Sequence, residues 1–177
     1  ISLEEAERVM FGIAKEKLPI IDENRKIKGL ITMKDLKKSK HYPYSSIDSR
    51  GRLLVGATVG ATGDFMERAE AVIEAEADCV LIDIAHGDSE VIKKAVKAFK
   101  AKFANVELVC GNVGTFDGAR FLADLGVDAI KVGIGPGHGC RTRIETGVGV
   151  PQMQAIREAF LGVEGKIPII ADGGIKH

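Results

Sequence analysis

Residues 79–135 read CVLIDIAHGDSEVIKKAVKAFKAKFANVELVCGNVGTFDGARFLADLGVDAIKVGIG. Three short apolar runs, 79–85, 106–111 and 129–134, are separated by two stretches with apolar residues at helical spacing, 89–103 and 116–125. Short apolar runs bounded by turn residues fit buried strands, and the longer periodic stretches fit helices. Strands that alternate with helices must run parallel, because parallel neighbours need a crossover connection. The fold class is therefore α/β. The same rhythm extends outward, with a strand at 52–59 and a helix at 65–75 on one side, and a helix at 152–160 and a strand at 167–171 on the other.

Ahead of residue 52 the pattern changes. Leu3, Ala6, Val9, Met10 and Ile13 have helical spacing, and Ser2 with Glu5 has the form of a capping box. Residues 18–21 and 27–32 read as strands around a polar turn, and 33–38 as a second helix. The expected organisation is a helix–strand–strand–helix unit over 1–40, a linker over 41–51 marked by Pro43, and the strand-and-helix run over 52–177.

Composition narrows the function. The 25 basic side chains balance 25 acidic ones, so no basic excess points to a nucleic-acid partner. No apolar run reaches the roughly 18 to 20 residues that span a bilayer, and the first residues (Ile1, Ser2, Leu3, Glu4, Glu5) are acidic where a secretory leader is basic. The expectation is a cytoplasmic protein with no membrane partner. Cys79, Cys110 and Cys140 are too widely spaced for a CxxC metal site and too few for a disulfide framework, so each is expected as a free thiol. The first residue is not Met, and the last eleven residues read as a strand and turn with nothing behind them, so the chain is expected to be an excerpt of a longer protein.

Polar residues and glycines collect after strands. Asp83 with His86-Gly87, Gly111-Asn112, residues 133–140, and Asp172-Gly173-Gly174 each follow a different strand. In a closed barrel those ends meet at one mouth, whereas in a doubly wound sheet only strands near the switch point share a site. Four loaded strand ends favour a (β/α)8 TIM barrel. Such a barrel takes about 250 residues, so the five strand-and-helix units here make a partial one.

The longest special loop, 132–152, mixes glycines with His138, Cys140, Arg141 and Arg143. Glycines bring the backbone close to a ligand, and a loop this long is uncommon without a function. Cations and an imidazole beside Cys140 favour the thiolate, the reactive form of cysteine. Cys79 and Cys110, inside apolar runs, read as small buried hydrophobes. Asp172 with Gly173-Gly174 could accept hydrogen bonds from a sugar diol while bare backbone approaches a phosphate, or form an ordinary turn; Asp83 and His86 carry the same two alternatives. The glycines at 133–137 lack the third glycine and the immediate helix of a dinucleotide fingerprint, so a Rossmann site is rejected.

Residues 131–152 (KVGIGPGHGCRTRIETGVGVPQ) resemble the catalytic cysteine loop of the IMP dehydrogenase and GMP reductase family. Asp83-Ile84-Ala85-His86-Gly87, Gly111-Asn112-Val113 and Ala171-Asp172-Gly173-Gly174-Ile175 follow in the family's order, while residues 17–22 and 29–35 resemble the end of a CBS domain. The resemblance implies that Cys140 attacks C2 of a purine nucleotide, with Thr142 beside the reacting centre and hydride passing to NAD. It implies substrate contacts at His138, Asn112, Asp172, Gly173 and Gly174, cofactor contacts at Asp83, Gly133, Ile134 and Gly135, and potassium held by carbonyls of Gly135, Gly137 and Cys140. It further implies IMP or GMP as ligand, an adenine or guanine nucleotide at the CBS unit, and a homotetramer. The chain departs from the family at His138, Gly139 and Arg141, where Ser, Ile or Val, and a small residue are usual, so a phosphate contact falls to His138 or Arg141. IMP dehydrogenase is favoured over GMP reductase, with a non-catalytic nucleotide sensor as the third expectation.

Overall fold

The first 53 residues build a unit of their own in a computed structural model that describes residues 1–176, Ser39 and Lys40 by backbone alone. Helix α1 (Leu3–Gly12) starts where Ser2 Oγ accepts the Glu5 N–H at 3.1 Å, and it buries Ala6 and Met10. Strands β1 (Lys17–Ile21) and β2 (Ile27–Thr32) pair antiparallel around a turn in which Asp22 Oδ1 accepts N–H bonds from Asn24 and Lys26. Helix α2 (Met33–His41) opens on a fully reciprocal capping box. Thr32 Oγ1 accepts from Asp35 N, Asp35 Oδ2 accepts from Thr32 N at 3.0 Å, and the Thr32 hydroxyl donates to the same carboxylate at 2.6 Å. That hydroxyl bond, outweighing partial desolvation, holds the Asp35 carboxyl below the usual carboxylate range. Asp48 Oδ1, in the segment 41–51, accepts the N–H groups of Arg50 and of Arg52 just beyond it, both at 2.8 Å.

From Leu54 onward the second unit is a five-stranded parallel sheet with its strands in chain order. The strands are β3 (Gly56–Val59), β4 (Cys79–Asp83), β5 (Glu107–Val113), β6 (Ala129–Val132) and β7 (Ile169–Ala171). Between them run α3 (Phe65–Glu74), α4 (Glu90–Lys102), α5 (Phe116–Asp124), the short α6 (Thr142–Thr146) and α7 (Gln152–Gly162). Several element bounds differ from expectation, among them the strands expected at 79–85, 129–134 and 167–171, which end or begin two residues short. Strand β3 starts at Gly56 instead of residue 52, because its partner β4 begins only at Cys79, opposite Gly56. Strand β5 continues past Gly111 to Val113, through a register shift against β6 and a cis peptide between Gly111 and Asn112. Helix α6, inside the glycine-rich loop, has no apolar periodicity to announce it.

Alternation along the strands sorts two faces. Val80 and Ile82 of β4, Leu108 and Cys110 of β5, and Ile130 and Val132 of β6 are fully buried, and they cluster with Ile92, Val96 and Phe99 of α4, Leu122 of α5 and Ala155 and Ala159 of α7. The helices thus pack on one face of the sheet, whereas a doubly wound sheet carries them on both. This arrangement is consistent with part of a TIM barrel wall. The α4 helix fits its place because Ser89 caps it and its four buried positions, Ile92, Ala95, Val96 and Phe99, follow the three-and-four spacing of one face.

At the end of the sheet where strands begin, two aspartates repeat one device. Asp78 donates its N–H to Val55 O at 2.9 Å and takes the Val55 N–H on Oδ2 at 2.7 Å. Asp128 does the same with Leu108, at 2.8 Å in both directions. Each brackets the strand ahead of its own. Helix α4 adds Lys100, whose ammonium reaches Asp128 at 2.5 Å.

Candidate functional site

The opposite end of the sheet holds a cavity of about 360 Å³ between the ends of β4, β5, β6 and β7. Of the residues nominated from sequence, Asp83, Asn112, Gly133, Ile134, Gly135, Cys140, Thr142 and Asp172 line it together. Gly137, His138, Gly173 and Gly174 do not. His138 is exposed, and the two glycines lie against the loop after β6: a Cβ on Gly173 would stand 3.1 Å from Gly137 Cα, and one on Gly174 2.8 Å from Pro136 Cβ. The Asp172-Gly173-Gly174 turn and the cysteine loop are therefore in contact.

Sequence reasoning missed the residue at the centre. Lys131 is the third residue of β6, on the face opposite Ile130 and Val132, and its side chain is only 15% exposed. Its ammonium donates to Asp83 Oδ2 at 3.0 Å and to Asp172 Oδ2 at 2.9 Å, bridging carboxylates from β4 and the end of β7. Burial works against the charged ammonium, but the hydrogen bonds to Asp172 and Asp83 outweigh it and its pKa lies above the ordinary lysine value. The available signal was alternation: a lysine between two buried apolar residues of a short strand points where they do not.

Asn112 positions rather than presents. Its Nδ2 donates to Gly133 O at 2.7 Å and to Asp172 Oδ2 at 2.9 Å. The Asn112 amide first, then Lys131, hold the Asp172 carboxyl below the usual carboxylate range. Gln152, also unanticipated, is the first residue of α7 and 6% exposed. Its Nε2 donates to Val132 O at 2.8 Å and sits 3.4 Å from Asp172 O. Gly133 takes φ +153° in this tight spot, where a Cβ would fall 2.3 Å from Asp172 O. Only glycine lets the two strand ends approach so closely.

Cys140 is partly exposed on the cavity wall, 3.2 Å from Thr142 Oγ1. As a thiol it donates to that oxygen; once ionised it accepts from the hydroxyl. The second arrangement is the main reason its pKa lies below the ordinary thiol value, with the Thr142 backbone and the Arg143 charge adding in the same sense. The expectation that Arg141 and His138 supply this bias is corrected here. Arg141 is turned onto Glu145, at 2.9 Å from Nε and 2.5 Å from a terminal nitrogen, and is spent within its own helix. The other thiols go the other way: burial pushes Cys79 up and Cys110 up to about 12.

A larger cavity, about 650 Å³, runs beside β7 and is lined by Met153, Ile156, Phe160, Pro168 and Ile169 among others. Its lining holds no thiol, hydroxyl, imidazole or carboxylate side chain, and it lies along an edge strand, so the chemistry belongs to the smaller one. Among the described residues no cluster of three or more His, Cys, Asp or Glu side chains could hold a metal, and no helix is long and apolar enough to cross a membrane.

A parallel sheet with helices on one face gathers a thiol, an ammonium and paired carboxylates at its C-terminal rim, the end at which α/β barrels carry their functional groups. The chain belongs to the IMP dehydrogenase / GMP reductase domain family, whose model matches residues 8–177. It is 49% identical over 178 residues to inosine-5'-monophosphate dehydrogenase of Aquifex aeolicus (strain VF5), covering 100% of this chain and 36% of that protein. It is 48% identical to the enzyme of the same name from Nitrosopumilus maritimus (strain SCM1), covering 99% and 37%. Among solved structures, GMP reductase from Trypanosoma brucei in complex with guanosine 5'-triphosphate is 40% identical with a TM-score of 0.79, covering 99% of this chain and 42% of that one. The C318A form of that reductase in complex with guanosine 5'-monophosphate is also 40% identical with a TM-score of 0.79, covering 99% of this chain and 37% of that one. These relatives are oxidoreductases, and the chain spans a little over a third of the length of the dehydrogenases it matches.

Proposed function

We propose that the chain is part of the catalytic barrel of an IMP dehydrogenase, oxidising IMP to XMP with NAD in guanine nucleotide synthesis. The observation that carries this reading is one cavity lined both by the Cys140–Thr142 pair and by the Lys131–Asp172 pair. The Cys140 thiolate forms a bond to C2 of the hypoxanthine ring, and C2 gives up a hydride, leaving a thioimidate. Water then adds to C2, the carbon–sulfur bond breaks, and XMP leaves with the thiolate restored. NAD, when bound, accepts the hydride. The Thr142 hydroxyl keeps the sulfur ionised before attack and receives it after release.

Asp172 holds the ribose diol, and Lys131 with Asn112 keeps its carboxylate ionised and aimed. Gly173, Gly174 and His138 hold the phosphate beside the loop. Asp83, with the backbone of Gly133, Ile134 and Gly135, suits the cofactor: the carboxylate is 34% exposed at the rim, open to a second ribose. A potassium ion would fall to the carbonyls of Gly135, Gly137 and Cys140, a donor set that suits a hard cation. Gly137 O already accepts the Cys140 N–H at 3.1 Å and would offer its second lone pair. Residues 1–40 we assign to the end of a CBS domain binding an adenine or guanine nucleotide, with 41–51 as linker and 52–177 as barrel, in a cytoplasmic homotetramer.

GMP reductase is the second reading, supported by the Trypanosoma brucei structures. Incubating the intact protein with IMP and NAD should raise NADH absorbance. No signal there, with NADPH consumed on adding GMP, selects the reductase. Nucleotide binding without turnover of either substrate selects the sensor.

A further inference from the structure

Helix α6 has little to hold it in place. Five residues fall short of the roughly 12 to 15 that a lone helix needs, none of the five is buried, and Ile144, its one large apolar side chain, is 76% exposed. The Arg141–Glu145 pair and the bond from Thr146 Oγ1 to Thr142 O, at 2.6 Å, close within the helix and its cap. Yet its first residue, Thr142, carries the hydroxyl that meets the Cys140 sulfur.

The tie is the hydrocarbon stem of Arg143. A Cβ on Gly135 would lie 2.6 Å from Arg143 Cγ, and one on Gly149 would lie 2.5 Å from the same atom. Arg143 Cδ would be 3.2 Å and 2.9 Å from those two positions. The stem thus runs through a slot between two bare backbones, one in the loop after β6 and one on the approach to α7, with no space for a methyl on either wall. The walls are joined to each other, since Val150 donates its N–H to Ile134 O at 3.0 Å.

We propose that Arg143 is a positioning residue whose stem, wedged between Gly135 and Gly149, sets where α6 stands and so whether the Thr142 hydroxyl reaches the Cys140 sulfur. The proposal rests on the functional reading above only in treating Cys140 as the reactive group. Its test reads the thiol directly, so absence of purine turnover would leave it standing and its own failure would leave the substrate assignment untouched.

The intact protein is alkylated with iodoacetamide at one neutral pH, and the rate at Cys140 is followed by peptide-resolved mass spectrometry to separate it from Cys79 and Cys110. Arg143→Ala, which removes stem and charge, should slow Cys140 alkylation at neutral pH about tenfold. Arg143→Met keeps a stem of similar length without the charge and should retain most of the wild-type rate. Gly149, unlike Gly135 with its φ of +79°, has a backbone conformation open to alanine. Gly149→Ala should slow the reaction much as Arg143→Ala does, and adding it to Arg143→Ala should cost nothing further because the slot is already empty. Arg143→Met as slow as Arg143→Ala would assign the effect to charge and overturn the wedge, as would a wild-type alkylation rate in Gly149→Ala or strictly additive losses in the double variant. Should Arg143→Ala fail to fold, the Met and Gly149 variants decide the matter alone.

Discussion

Cys110 and Cys140 are the same side chain in two settings, and the contrast shows where this fold keeps its chemistry. Cys110 sits inside β5 with no solvent exposure, surrounded by the apolar cluster, and burial pushes its thiol up to about 12. Cys140 stands on a loop beyond a strand end, partly exposed, with a hydroxyl within hydrogen-bond reach and its pKa lowered. Apolar walls make a thiol inert packing; a polar rim makes it a nucleophile. The helix-facing side of the sheet is built from the first kind of environment and its C-terminal rim from the second.

Exchanging the two roles by mutation gives the largest effect. Cys140→Ala should lower turnover by at least about three orders of magnitude, because no other thiol lines the cavity. Cys110→Ala should keep its turnover and instead lose about 1–2 kcal/mol of stability, the scale of deleting one buried methyl-sized group. Steady-state kinetics on one variant and denaturant melts on the other check this; activity surviving in Cys140→Ala would end the comparison.

Lys131→Met comes next. It leaves the Asp83 and Asp172 carboxylates together without the cation that bridges them, and KM should rise about tenfold, matching the worth of a charged hydrogen bond. Equal KM in variant and wild type would show the bridge to be idle. Thr142→Val sharpens the contrast at smaller scale. The Cys140 thiolate persists as pH falls below the ordinary thiol value and is lost only as pH falls through its own lowered pKa; without the hydroxyl that loss should come at higher pH. The acid limb of kcat/KM should move up, with about a fivefold drop at neutral pH, given that one hydrogen bond is worth about 1 kcal/mol.

Thr32→Ala should matter least to the site. Removing the capping box should destabilise the first unit by about 1 kcal/mol and leave Cys140 alkylation unchanged. Because the folded Asp35 pKa is depressed, the wild-type contribution is present above the unfolded value of about 3.9 and fades as pH falls through the folded one, so the variant should show less acid-side loss in calorimetric melts.

The alternation of strands and helices was legible because β4, β5 and β6 are apolar runs bounded by capped amphipathic helices, and the loop at 132–152 announced itself by length and glycine content. What periodicity carries no trace of is contact across the chain. The bridge from Lys131 to Asp83 and Asp172 joins residues 48 and 41 positions apart, and only the register of β4, β6 and β7 brings them together. Helix α6 was invisible because its support comes from an arginine stem and two glycines, not from an apolar face. Gln152 read as a helix start, and nothing local marks that its amide reaches back to Val132. The bias on Cys140 was anticipated in direction and assigned to Arg141, Arg143 and His138; Arg143 contributes, but Arg141 pairs with Glu145 on a helix the sequence did not reveal, and the Thr142 hydroxyl, not a cation, is the main source.

The brackets made by Asp78 and Asp128 have a consequence at the far side of the domain. Each clamps a pair of neighbouring strands at their starting points, so the pairs behave like hinged leaves bound along one spine. Loops at the unbound margin can be lengthened, shortened or refitted with different side chains without loosening the binding, and a scaffold made this way can change its trade while keeping its frame.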